Sequence, residues 1–155
     1  MKHDAADPSP GPVSKRMTSM KSPSYLPTVL RFSIGGYFAD CHEVEFVAGS
    51  LRCRSAEGAY MFGPETIRNP SREQWEKFWQ ALEAAGVWSW APDYADPGIC
   101  DGTQWSLQLE HAGRTLSSEG SNAFPGADSE DFSPATAFGQ FLSALRKLTG
   151  LRKLR

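Results

Sequence analysis

The chain has no long hydrophobic run. Its apolar stretches last only a few residues, far short of the ~20 that a membrane-crossing helix requires. Residues 1–16 lack the apolar segment of a secretion signal. Cysteine is scarce as well. Cys41, Cys53 and Cys100 are odd in number and irregularly spaced, which argues against a disulfide-stapled secreted fold and points to a reduced cytoplasm. No C-x-x-C or H-x-x-x-H pair offers metal ligands, and Cys41-His42 is adjacent rather than spaced, so no metal and no cofactor is expected. Phosphate-cradling glycine loops and a G-x-S-x-G elbow are missing too.

What is present is an ordinary globular composition with many large rings. The 155 residues are 40% hydrophobic and 22% charged, and they include five Trp and nine Phe. Large aromatics let a small core bury much area. The net charge of −2 hides an asymmetry. Residues 1–24 hold four basic and two acidic side chains, and residues 146–155 hold five basic and none acidic. The body between them therefore carries sixteen acidic side chains against seven basic ones. Such a body disfavours contact with a phosphate backbone and suits a protein partner with a basic surface. The basic residues near the C-terminus complement a helix dipole and need no nucleic acid.

Residues 1–24 are rich in Pro, Ser, Gly and Lys without apolar period and read as a disordered leader. Leu30, Phe32 and Ile34 alternate with polar neighbours, which predicts a strand over 28–34. A turn at Ala48-Gly49 would set Glu45 opposite Arg52, Glu43 opposite Arg54, Phe46 opposite Leu51 and Val44 opposite Cys53. Residues 59–62 suggest a further short strand and 64–70 a loop. Ser71 with Gln74 forms a capping box ahead of the stripe Trp75, Phe78, Trp79 and Leu82, and Gly86 closes that helix. Residues 87–90 read as a short strand or extended connection, and 91–103 as turns. Asp101-Gly102 then opens a hairpin of strands 104–110 and 114–119 about Ala112-Gly113, with Trp105 facing Gly120. A second helix is predicted from Ser133-Pro134 to Gly150, with Phe138, Phe141, Leu142, Leu145 and Leu148 inward. No internal repeat of fixed period is present.

The resulting fold class is α+β: an antiparallel sheet of about five or six strands with two helices on one face. It spans 25–150 as a single domain, followed by a basic tail at 151–155. Candidate chemistry concentrates at the open end of the last hairpin, where Asp101, Trp105, Ser118, Gly120, Ser121 and Asn122 could meet a ligand. Turn chemistry accounts for the same Ser and Asn residues. Asp93, Asp96 and Asp101 beside Tyr94, Trp88 and Trp90 resemble the carboxylates of a sugar-cleaving site, yet they also stand beside Pro92, Pro97 and Gly102. His42 and His111 are the histidines available to a serine nucleophile. No complete catalytic set emerges. The favoured reading is a non-enzymatic binding domain, immunity- or inhibitor-like. Its alternative is a ligand-binding or hydrolase-like protein with a pocket between loops 91–103 and 117–125.

Gly35-Gly36-Tyr37-Phe38, Trp75-x-x-Phe78-Trp79, Trp88-x-Trp90, Asp101-Gly102-x-x-Trp105-x-Leu107 and Ser118-x-Gly120-Ser121-Asn122-Ala123-Phe124-Pro125 also carry a resemblance. Over residues 28–150 the chain resembles a loose group of small bacterial proteins to which no secure activity is attached. The resemblance implies a discrete bacterial domain and carries no catalytic residue with it.

Overall fold

Strand alternation, two capped helices and two tight turns account for most of the architecture. The structure, a computed structural model, describes residues 25–36, 39–57, 61–98, 102–127 and 131–154. Its strands are β1 (Val29–Gly36), β2 (Cys41–Val47), β3 (Ser50–Ala56), β4 (Thr66–Arg68), β5 (Asp93–Ala95), β6 (Thr103–His111) and β7 (Arg114–Ser121). The helices are α1 (Arg72–Ala84) and α2 (Ala137–Thr149). All seven strands form one sheet in the order β4-β3-β2-β1-β6-β7-β5.

Both hairpins adopt the register that their side chains require. Glu43 faces Arg54, Val44 faces Cys53, Glu45 faces Arg52 and Phe46 faces Leu51. Ala48 and Gly49 turn with φ of 51° and 88°, and Ala112 and Gly113 with 52° and 81°. Positive φ at both central positions matches the right-handed twist of the flanking strands. β1 joins the two hairpins by pairing with β2 on one side and β6 on the other.

One face of this sheet is apolar and covered. Leu30, Phe32, Ile34, Val44, Leu51, Cys53, Trp105, Leu107 and Leu109 are buried in one cluster with Trp75, Phe78, Trp79 and Leu82 of α1 and Phe138, Phe141, Leu142, Leu145 and Leu148 of α2. Ser71 caps α1 reciprocally: its Oγ accepts the Gln74 N–H at 3.1 Å while its own N–H donates to Gln74 Oε1 at 2.8 Å. Gly86 follows in the left-handed conformation with φ 67°.

The fold departs from the expectation in four places. The sheet has seven strands rather than five or six, and it is mixed, because β5 runs parallel to β7. The additional strands β4 and β5 are three residues each, in segments read as loop and turns; alternation over three residues gives no usable period. Residues 87–89 form a 3-10 turn instead of the short strand or extended connection expected there. α2 begins at Ala137, because Thr136 rather than Ser133 provides the cap, its Oγ1 accepting the Gly139 N–H at 2.9 Å. Of the strand expected at 59–62, residues 59 and 60 lie outside the described residues, and Phe62 forms a single bridge to Ala56.

Beyond Gly150 the chain turns back onto the domain. Leu154 is fully buried, and Arg146 Nη1 donates to its carbonyl at 2.9 Å. The segment read as a basic tail thus contributes a core side chain while Arg152 and Lys153 stay outside, with Lys153 Nζ 2.8 Å from Glu57. We expect Leu154→Ala to lower the unfolding free energy by about 2–4 kcal/mol, the cost of an unfilled core site. A urea midpoint equal to that of the unsubstituted chain would show that the segment is not packed.

Candidate functional site

The hairpin end that the sequence singles out is built around a close approach of ring to backbone. Trp105 and Gly120 are direct partners in the β6–β7 register. A Cβ at Gly120 would overlap the Trp105 indole nitrogen and lie 2.6 Å from the Ala123 carbonyl oxygen. With no side chain there, the indole lies flat against the strand, and its N–H donates to Ala123 at 2.9 Å. The ring's other faces meet Phe138, Trp90 and Tyr94 at centroid distances of 4.9, 5.9 and 5.9 Å.

The neighbouring polar groups are engaged in the same way. Ser118 is buried, and its hydroxyl donates to the Ala91 carbonyl at 2.6 Å. Asn122 has φ 58°, donates its N–H to the Thr103 carbonyl at 2.9 Å, and lays its carboxamide where a Cβ on Gly102 would have to sit. Ser121 is half-buried beside Ala95, and its carbonyl accepts the Asp96 N–H at 3.0 Å. Asp101 lies outside the described residues. Trp105, Gly120 and Ala123 therefore come together, as do Gly102, Thr103 and Asn122. Ser118 instead faces inward toward the 91–92 connection.

Of the carboxylates near the tryptophans, Asp93 stands on the sheet opposite Glu119 and Asp96 is engaged in a turn. Asp96 Oδ1 accepts the Gly98 N–H at 3.0 Å, and the Tyr94 hydroxyl accepts the Ala91 N–H at 2.9 Å. Trp90 is buried in the core, while Trp88 lies under the Arg114 guanidinium at 4.4 Å. His111 stacks on Trp79 with a centroid separation of 3.8 Å. Among the described residues, no group of three or more His, Cys, Asp and Glu converges as a metal site.

A pairing that the sequence reading did not single out lies across β1 from Trp105, where Ile34 pairs with both Trp105 and His42. His42 is buried on the helix side, and its Nδ1 lies 2.8 Å from Ser55 Oγ. Its Nε2 is buried and finds no partner in good hydrogen-bond geometry. Extending the Val44–Cys53 register by two residues puts His42 opposite Ser55, so the signal was available. A serine beside an imidazole meets one requirement of nucleophilic catalysis, but no carboxylate orients the other ring nitrogen. Burial lowers the His42 pKa from the ordinary 6.5, with Asp40 and the Lys153 backbone pulling the other way. Burial also pushes the Cys53 thiol up to about 11, which suppresses its thiolate.

Two open concavities lie elsewhere. The first, of about 390 Å³, is on the sheet face that no helix covers. It is lined by a charge ladder in which Arg31 meets Glu45 at 3.3 Å, Arg52 meets Glu65 at 2.7 Å and Arg54 meets Glu43. Such exposed pairs are worth about 0–1 kcal/mol each. Toward the other edge, strand alternation brings Glu110, Glu119 and Asp93 onto the same face, with Asp93 directly opposite Glu119. These three carboxylates join no ion pair among the described residues. The second concavity, about 370 Å³, lies between α1 and α2. No described helix is long and apolar enough to cross a membrane. Comparison with known proteins adds nothing to these residues: no family model and no curated protein matches the chain.

Two outcomes follow from this geometry. Gly120→Ala should destabilise by about 1–3 kcal/mol through overpacking against the indole, and an unchanged unfolding midpoint would contradict the close approach. For His42, the unfolded chain binds more protons between pH 6.5 and the lowered native value. The stability contribution of the neutral ring is thus complete above 6.5 and is lost as pH falls below it. His42→Asn should flatten that part of the pH–stability curve. A curve as steep as the original would place the acid sensitivity elsewhere.

Proposed function

We propose that this chain is a non-enzymatic interaction domain, immunity- or inhibitor-like, that meets a partner protein with a basic surface. The observation that carries the reading is the β6–β7–β5 side of the uncovered sheet face, where Asp93, Glu110 and Glu119 join no ion pair among the described residues. Beside it the charge ladder of β1, β2 and β3 is internally balanced, so the excess lies toward the β6–β7–β5 edge. A cationic surface placed there would gain both steering and complementarity. The inward hydrogen bonds of Trp105 and Ser118 support the reading from the other side, because they leave those groups no reactive role. No specific observation favours the pocket between loops 91–103 and 117–125.

The test is affinity capture with the full chain, followed by titration of the captured protein. Charge reversal by Asp93→Lys, Glu110→Lys and Glu119→Lys together should weaken binding about tenfold or more and reduce its salt dependence. Glu43→Gln with Arg54→Gln, which removes a balanced pair, should change little. Binding indifferent to the triple reversal would remove the basis of the reading. So would turnover on a hydrolase panel that Asn122→Ala abolishes.

A further inference from the structure

α1 and α2 lie side by side on the sheet and leave a trough between them on their outer side. Each helix contributes one stripe. Gln74, Lys77, Phe78 and Ala81 recur at i, i+3, i+4 and i+7 on α1, and Gln140, Ser143, Ala144 and Lys147 do the same on α2. This spacing puts four residues on one helical face. Phe78, Ala144 and Leu148 form an apolar floor, and the small side chains Ala81 and Ser143 keep the walls apart. Its volume of about 370 Å³ falls within the range of sites that accept large apolar groups.

The rim decides what can enter. Lys77 and Lys147, one from each helix, are the only charged residues among the described ones that line the trough. Lys147 joins no ion pair among the described residues, while Lys77 pairs with Glu73 at 3.0 Å on an exposed surface, where such a contact is weak and exchangeable. A second copy laid symmetrically on this trough would bring lysine against lysine. Residues 1–24, with four basic and two acidic side chains, carry the same sign. An acidic occupant from another protein is the complementary choice.

We propose that this trough is a docking groove for an amphipathic helix of a partner protein, whose apolar stripe seats on Phe78 and Leu148 and whose flanking carboxylates meet Lys77 and Lys147. Recognition of this kind reads anchors at i, i+3, i+4 and i+7. The groove lies on the far side of the domain from the acid-rich sheet face, so it goes beyond the reading given above and stands without it.

The experiment titrates the full chain with two synthetic helical peptides that share one leucine stripe, flanked by glutamates in one and by lysines in the other. The glutamate peptide should bind at least about tenfold more tightly. Lys77→Glu with Lys147→Glu should reverse that preference, and Ser143→Trp, which fills the trough, should abolish binding while the circular dichroism spectrum is unchanged. The Asp93, Glu110 and Glu119 reversal should leave peptide binding intact, which separates failure of this inference from failure of the sheet-face reading. Equal affinity for both peptides, no binding of the glutamate peptide, or binding indifferent to Ser143→Trp would overturn the proposal. A self-association that Ser143→Trp disperses would also overturn it, by assigning the groove to a second copy.

Discussion

The contact of the Trp105 indole with bare backbone at Gly120 is the constraint on which the rest of the domain depends. It fixes the β6–β7 register at its open end, and through the Ala123 carbonyl it fixes the path by which the chain leaves the sheet. Two residues beyond Ala123, the Pro125 carbonyl accepts the Phe138 N–H at 3.1 Å, which seats the first turn of α2. Phe124 fills the space between, with its ring centroid 5.1 Å from that of Phe138. Only glycine lets the strand and the ring come this close, since a buried ring cannot shift in a close-packed core. The polar segment after Ser118 thus works as the joint between hairpin and helix.

That joint organises the molecule into two unlike surfaces. With both helices drawn onto one face, the other face of the sheet stays open, as antiparallel sheets permit. Its polar side chains follow directly from the alternation that makes the opposite face apolar. The inner layer is dense in rings: Trp79 stacks near Trp75, Trp88 and His111, and Phe32 meets Phe141 edge-on. The outer side of the helix layer carries lysines beside an apolar trough, and the uncovered sheet carries the excess carboxylates.

Much of this was legible from the residues alone, for identifiable reasons. The Glu43–Arg54 and Glu45–Arg52 crossing carries register information that hydrophobicity alone would not, because a one-residue slip sets charge against apolar side chains. Ser71 with Gln74 marks a helix start through two reciprocal hydrogen bonds, a constraint few other sequences meet. Illegible elements were those whose order comes from tertiary contact. β5 is a strand only because Pro92 and Ser121 carbonyls accept the Glu119 and Asp96 N–H groups along β7. Leu154 sits among cations and so reads as a charged tail, although the fold gives it a buried site. Of the candidate residues at the hairpin end, Trp105 meets Gly120 as the register requires, Ser118 faces the 91–92 connection, and Asp101 lies outside the described residues. Strand alternation turns Trp105 and Ser118 to the Leu107 face, where hydrogen bonds to Ala123 and Ala91 engage their polar atoms, and no pattern in the sequence specifies those partners.

The central claim is that residues 102–125 hold the fold together through one ring on one glycine. A double-mutant cycle of Trp105→Phe and Gly120→Ala, read by urea unfolding, tests it most directly. The smaller ring should relieve most of the clash that Ala introduces, giving a coupling energy of about 1 kcal/mol or more. Costs that add to within about 0.3–0.5 kcal/mol would contradict the account.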